Sequence, residues 1–395
     1  MKNNGITYPE GFVASGLHSG IKESKKNDIS LIFSKAPCVA AGTFTTNQFK
    51  SFSLLWSLKN IDNLIKAVLV NSGNANTCNG QESRKKTSLL AEELAKLLNL
   101  KKEEVLLAST GTIGKVFPYS TVLGALPELI SNLDKGNHLE AAKGILTTDL
   151  VVKESHIDTG IQGRKKEVVL GGMAKGSGMI NPSMATMLAF ITTDAVIDKR
   201  ALQGALNEAV EDSFNMITVD NDTSTNDMVV CLANGLSRNP TIHQDSKDYE
   251  RFKESLKSIC RELALKIVTD GEGATKLIEV KVKGAWRRDD ARRISKKIAG
   301  SNLFKSAVYG SLPNWGRILS SVGSVHARVD ILKTEVSICG ILVYNGNPVK
   351  YDEKDLVKRM EGDKIEVCVD VKKGEFEATG WGCDLTEEYV RINKE

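Results

Sequence analysis

The sequence predicts a layered α/β fold, and three observations carry that expectation. Short apolar runs of strand length are interspersed with longer stretches whose apolar positions recur at helical spacing. The order of the two kinds is mixed, which points to α/β or α+β layers and away from a clean doubly wound sheet. The chain has 395 residues, 41% of them hydrophobic, with no low-complexity stretch and no Pro/Ser-rich linker, so most of it can build packed cores.

In chain order, Ile29 to Phe33 and Ala67 to Val70 are apolar runs that read as strands. Between Ser83 and Leu98 the residues Leu89, Leu90, Leu94, Leu97 and Leu98 keep helical spacing among Lys and Glu. Val105 to Ala108 returns to a strand. Pro118 opens a helix to about Leu133, since proline suits the first helical turn, and 138–146 reads as another. Val168-Val169-Leu170 is strand-like and leads into dense glycine; a second apolar run follows at 187–191. Asp198 begins a helix toward Phe214, and 246–268 makes a long one. Residues 277–282 alternate like a strand, 289–299 reads as a helix, and 335–343 and 364–371 read as strands.

Charge is abundant but balanced, 53 Lys+Arg against 49 Asp+Glu, for a net of +4. A dedicated nucleic-acid binder carries a concentrated basic surplus, so runs such as Arg84-Lys85-Lys86 and Arg164-Lys165-Lys166 read as solvated faces. The polar start at Met1 has no signal-peptide core, and no stretch has the apolar length of a membrane span. Seven cysteines, odd in number and never C-x-x-C, argue against a disulfide framework or zinc ribbon and fit a reducing cytoplasm. The five histidines form no metal-ligand pattern, so a catalytic base is not expected among them. A P-loop, a G-x-S-x-G elbow and a dinucleotide fingerprint are all missing.

The most unusual stretch runs from Gly171 through Gly172, Lys175, Gly176, Ser177 and Gly178 to Ala185, Thr186 and Met187. Glycine lets backbone bend tightly and come close to a ligand. By composition alone the segment also reads as a glycine-rich turn between two core strands. Its pattern, however, resembles the cleavage-site signature of the ornithine acetyltransferase family, the bifunctional glutamate N-acetyltransferase/amino-acid acetyltransferase of arginine biosynthesis. Further motifs resemble that family in the same order: 40–47 (AAGTFTTN), 70–76 (VNSGNAN), 109–114 (STGTIG), 218–227 (TVDNDTSTND), 272–275 (EGAT), 313–317 (PNWGR) and 380–386 (GWGCDLT).

The resemblance implies self-cleavage between Ala185 and Thr186, giving an N-terminal fragment 1–185 and a C-terminal fragment 186–395. By length these are about 20 and about 23 kDa of the 43.0 kDa chain. Thr186 becomes the nucleophile. The chemistry is coherent in its own right: a threonine hydroxyl is weak without a base, and the freed α-amine, with a pKa near ~8, can accept its proton. Thr110 and Gly111 are implied as oxyanion donors, through a hydroxyl and a backbone N–H. Thr147, Lys175, Glu272 and Asn393 are implied to bind substrate together with Thr186. Lys175 takes an α-carboxylate and Glu272 an amine, and Thr148 is the nearest rival to Thr147. Read alone, Gly111, Lys175 and Glu272 could each sit in an ordinary turn or loop.

The implied reaction is ping-pong transfer of acetyl from N-acetylornithine to glutamate, with no metal or organic cofactor. Whether acetyl-CoA also serves as a substrate stays open. The implied fold is an α/β sandwich of two interwoven fragments, paired into a heterotetramer in the cytoplasm, with no nucleic-acid or membrane partner. Three departures stand out: Asn221 replaces a usual glycine, Leu312 a usual aspartate, and the family's terminal Ser or Thr contact is not expected in a sequence ending at Glu395. Two rivals remain: an N-terminal-nucleophile amidase or peptidase that passes the acyl group to water, and a non-enzymatic binding protein that stays one chain.

Overall fold

The computed structural model describes residues 5–181 and 187–394. They form two compact units. The first is built from the described residues of 1–176, 183–214 and 222–263, the second from those of 177–182, 215–221 and 264–395. Each unit therefore draws on both sides of the Ala185/Thr186 bond.

The first unit holds β1 (Phe12–Leu17), β2 (Ile29–Phe44), β3 (Ile65–Asn74), β4 (Val105–Thr112), β5 (Lys153–Gln162), β6 (Glu167–Lys175) and β7 (Leu188–Thr193). After β8 (Ile217–Thr218) of the second unit, β9 (Met228–Ala233) completes it. The strand order is β4-β3-β2-β9-β7-β6-β5, with β1 on β2. β2 turns the corner. Its first half pairs with β1 and β3 and its second half with β9, the register breaking between Phe33 and Cys38, around Pro37. Proline cannot donate to a ladder, which suits it to such a break. The two arms share one core: Ile32, Val68 and Leu106 from one, Met173, Phe190 and Val230 from the other. Along β3 the period-2 alternation sends Val68 and Val70 to that core, and Ala67 and Leu69 to a second one. The second core is closed by Leu90 and Leu94 of the helix Gly80–Leu98 and by Val122 and Leu126 of Tyr119–Ser131. The other arm packs against Lys199–Glu211, whose N-cap Asp198 accepts from the Ala201 N–H, and Lys247–Thr269. The layers are thus helix, sheet, sheet, helix.

The interweaving is visible in the ladder. β7 and β9, which follow Thr186 in sequence, lie between β2 and β6, which precede Ala185. The glycines at 171 and 172 are not in a turn, as composition allowed, but inside β6. A Cβ on Gly171 would lie 2.1 Å from the Gly5 carbonyl oxygen, and one on Gly172 3.0 Å from Leu263, so both mark close approaches.

The second unit is a six-stranded sheet, adding β10 (Leu277–Ala285), β11 (Glu335–Ile338), β12 (Ile341–Asn345), β13 (Lys364–Asp370) and β14 (Phe376–Cys383), in the order β12-β11-β13-β10-β14-β8. The helix Arg288–Ala299 packs on β14 and β10. The single strand expected over 335–343 is a hairpin. Cys339 and Gly340 both take positive φ, +47° and +81°, and Ile338 faces Ile341, a two-residue turn that matches strand twist. Asn221, the residue that departs from glycine, has φ +66°. Asparagine tolerates that left-handed conformation better than most residues, and its amide donates to the Gly300 carbonyl at 2.7 Å. Leu312, the second departure, is exposed, outside any helix or strand. Among the described residues no helix is long and apolar enough to cross a membrane.

Candidate active site

In the first unit the site begins at a bulge. β3 and β4 run parallel until Gly73/Asn74, where the register slips and Gly73 faces Gly111. Gly111 lies within β4 and has φ +128°; a Cβ on it would sit 2.4 Å from the Gly73 carbonyl carbon. Only glycine fits that conformation and that gap. A buried polar network backs the bulge. Ser109 donates to Asn71 at 2.6 Å and meets the Ser53 hydroxyl at 2.6 Å, while the Asn226 amide donates to the carbonyls of Ala75 and Ser109, both at 2.7 Å. Thr45 donates to the Ser224 carbonyl and Asn47 to that of Thr223. Four of the motifs, at 40–47, 70–76, 109–114 and 218–227, thus meet in one scaffold.

Lys175, the last residue of β6, is buried, and its Nζ donates to the Thr110 hydroxyl at 3.3 Å. Asp149 organises the same place. Its carboxylate accepts from Lys153 Nζ at 2.6 Å, the Gly176 N–H at 2.7 Å and the Thr147 N–H at 2.9 Å, and both Asp149 and Lys153 side chains are fully buried. Burial alone would raise the Asp149 pKa, but the charges of Lys175 and Lys153 and its hydrogen bonds outweigh it and hold the carboxyl well below the usual carboxylate range. Thr147 is therefore fixed beside Lys175's neighbour Gly176, whereas its rival Thr148 is exposed.

Asp227 is a third acid in this unit. It is fully buried, and neither carboxyl oxygen has a hydrogen-bond partner among the described residues. Desolvation pushes its pKa well above the usual range. The Met187 N–H, the charge of Lys175 and the Thr45 hydroxyl pull the other way and fall short, the donors lying outside good hydrogen-bond geometry.

In the second unit Glu272 and Asn393 meet directly, the Asn393 amide donating to Glu272 Oε2 at 2.7 Å. Glu272 sits in the turn after the long helix, its N–H on the Ser177 carbonyl. Gly178 lies against it: a Cβ there would be 2.4 Å from the Glu272 carboxyl carbon and would push that side chain from its place. Asp384 ties two motifs together by accepting from the Thr275 N–H and hydroxyl.

The structure thus groups Thr110, Gly111, Thr147 and Lys175 in the first unit and Glu272 with Asn393 in the second. Ala185 and Thr186 lie outside the described residues. Sequence reasoning missed Asp149, Asp227 and Lys22, which lies partly buried near Asp149 and Lys175; an aspartate or lysine in a polar stretch carries no signal of its burial. Among the described residues no cluster of three His, Cys, Asp or Glu is arranged to hold a metal.

The ArgJ family profile matches residues 13–395. The chain is 46% identical over 399 residues to the arginine biosynthesis bifunctional protein ArgJ 1 of Clostridium acetobutylicum, covering 100% of this chain and 97% of that protein. It is 44% identical to the arginine biosynthesis bifunctional protein ArgJ of Staphylococcus epidermidis, covering 100% and 98%. Among solved structures, the arginine biosynthesis bifunctional protein ArgJ of Bacillus halodurans is similar at 43% identity and a TM-score of 0.52, over 53% of this chain and 99% of the solved one.

Proposed function

The chain belongs to the ArgJ family, and on that premise we propose that it is an acetyltransferase of arginine biosynthesis acting through an acetyl-Thr186 ester. The chain first cuts itself between Ala185 and Thr186: the Thr186 hydroxyl attacks the Ala185 carbonyl, and water resolves the ester. The freed hydroxyl then attacks the acetyl carbon of N-acetylornithine, its proton passing to the α-amine of Thr186. Ornithine leaves with that proton on its nitrogen. The neutral amine of glutamate attacks the ester in turn, the acyl carbon–Oγ bond breaks, the proton lost by that nitrogen returns through the Thr186 α-amine to Oγ, and N-acetylglutamate leaves.

One observation carries this reading: Thr110 accepts from Lys175. A hydroxyl has a single proton to give. Because its lone pair is engaged by Lys175, Thr110 keeps that proton for a developing oxyanion, beside the Gly111 backbone. A charge-assisted donor of this kind is worth about 1.5–3 kcal/mol. Lys175 takes the substrate α-carboxylate, next to Thr147; Glu272, held by Asn393, takes a substrate amine. The reaction asks for no metal or organic cofactor. Acetyl-CoA is a candidate second acetyl donor, decided by thiol release with glutamate. The fragments pair as two α and two β chains in the cytoplasm.

The test is incubation with N-acetylornithine, with and without glutamate. A transferase releases ornithine much faster when glutamate is present. Equal rates would favour the amidase reading, with water as acceptor.

A further inference from the structure

The loop between β1 and β2 is wound around one carboxylate. Asp28 accepts from the N–H groups of Ser19 (2.6 Å), Gly20 (3.3 Å), Ile21 (2.9 Å) and Lys22 (3.0 Å) and from the Ser19 hydroxyl (2.7 Å). His18 lies 3.0 Å from the same carboxylate. This winding sets Lys22 over the bulge. Its stem lies against Gly73, where a Cβ would be 3.2 Å from Lys22 Cγ, and Gly73 is the residue facing Gly111. Its Nζ donates to the Asn27 carbonyl at 2.8 Å and to that of Leu146, the residue before Thr147, at 2.7 Å. The ammonium has a third N–H, and the side chain is partly exposed.

Lys22 stands among charges of both signs, Asp28 and Asp149 on one side of the balance and Lys26 and Lys175 on the other. Burial is the largest influence lowering its pKa, to about 8; Lys175 and Lys26 lower it further, and Asp28 and Asp149 hold it up.

We propose that Lys22 is a second cation for the α-carboxylate of the amino-acid substrates, which it shares with Lys175. The inference rests on the reading that Lys175 takes that carboxylate. An ammonium serving two backbone carbonyls is already aimed, so little ordering is lost when the carboxylate arrives. Binding an anion favours the charged lysine, and the lysine takes up a proton when the substrate binds.

The experiment is calorimetry of ornithine binding to the purified full-length protein at pH 8, in two buffers of different ionisation enthalpy. A group half-protonated at that pH takes up as much as about half a proton per site. The unaltered protein should show that uptake. Lys22→Arg keeps the charge but does not titrate there, so it should bind without the Lys22 share of the uptake. Lys22→Met should bind roughly tenfold or more weakly. Equal uptake by Lys22→Arg, or undiminished affinity of Lys22→Met, would overturn the inference while leaving the acetyltransferase reading intact. If Lys22→Met does not fold, the arginine variant decides alone. Failure of the unaltered protein to bind ornithine would sink both readings.

Discussion

Replacing Asp149 by asparagine removes the carboxylate around which one face of the site is assembled. The geometry sets the size of the effect. Asp149 and Lys153 are fully buried, 2.6 Å apart, and Asp149 also receives the Gly176 and Thr147 N–H groups. Breaking a buried pair from one side leaves an uncompensated charge and costs about 3–5 kcal/mol. For a domain of this size that lowers the melting temperature by roughly 10 °C. Lys153→Met alone should cost a similar amount. The double variant Asp149→Asn/Lys153→Met should recover part of the loss, because the stranded charge is gone. A deficit of about 1–3 kcal/mol should remain from the one N–H, of Gly176 or Thr147, that then faces the amide nitrogen in place of an acceptor. The effect also has a pH signature. The folded-state pKa of Asp149 is depressed below the unfolded value near ~3.9, so the stabilisation is complete above that value and fades as pH falls through the folded pKa. The gap between the unaltered protein and Asp149→Asn should be flat from pH 5 to 8 and shrink below about pH 4. Thermal unfolding of the four proteins across that range is the assay. Strictly additive single effects would refute the coupling, and a gap that widened on acidification would refute the assigned charge state.

Thr186→Ala should run as one band near 43.0 kDa and lack activity, while Thr186→Ser should still cut; an active, uncut alanine variant would end the mechanism. Once cut, the fragments should co-purify through native chromatography and separate only in denaturant, because β7 and β9 of one are hydrogen-bonded between β2 and β6 of the other. Lys175→Met should lower kcat/KM for N-acetylornithine tenfold or more, from a charge-assisted contact worth roughly 1.5–3 kcal/mol, and leave fragment formation largely intact on a gel. Gly111→Ala should destabilise the fold and abolish turnover together, since its Cβ would meet the Gly73 backbone at 2.4 Å in a left-handed conformation. A well-folded, active Gly111→Ala would show that the bulge is not needed.

What the sequence determined by itself was the family and, with it, the reaction class. The motifs that carried it are dense strings of Gly, Thr, Ser and Asn, such as 70–76 and 109–114, whose composition stands out from an ordinary core. Long periodic elements such as the helix Gly80–Leu98 were legible for the same reason, a repeated local pattern. Tertiary structure decided the rest. β5, lined with polar residues at the edge of its sheet, and the helices of eight or nine residues in the second unit bury too few side chains to leave a periodic trace. The site in the first unit depended most on long-range placement. Asp149, Asp227 and Lys22 are ordinary surface residue types in the sequence. Only burial, which strips them of water and sets them among Lys153, Lys175 and the Gly73–Gly111 bulge, turns them into an anchor, an acid of raised pKa and a lysine of lowered pKa. Desolvation and charge proximity depend on residues far apart in the chain, so no local pattern encodes them.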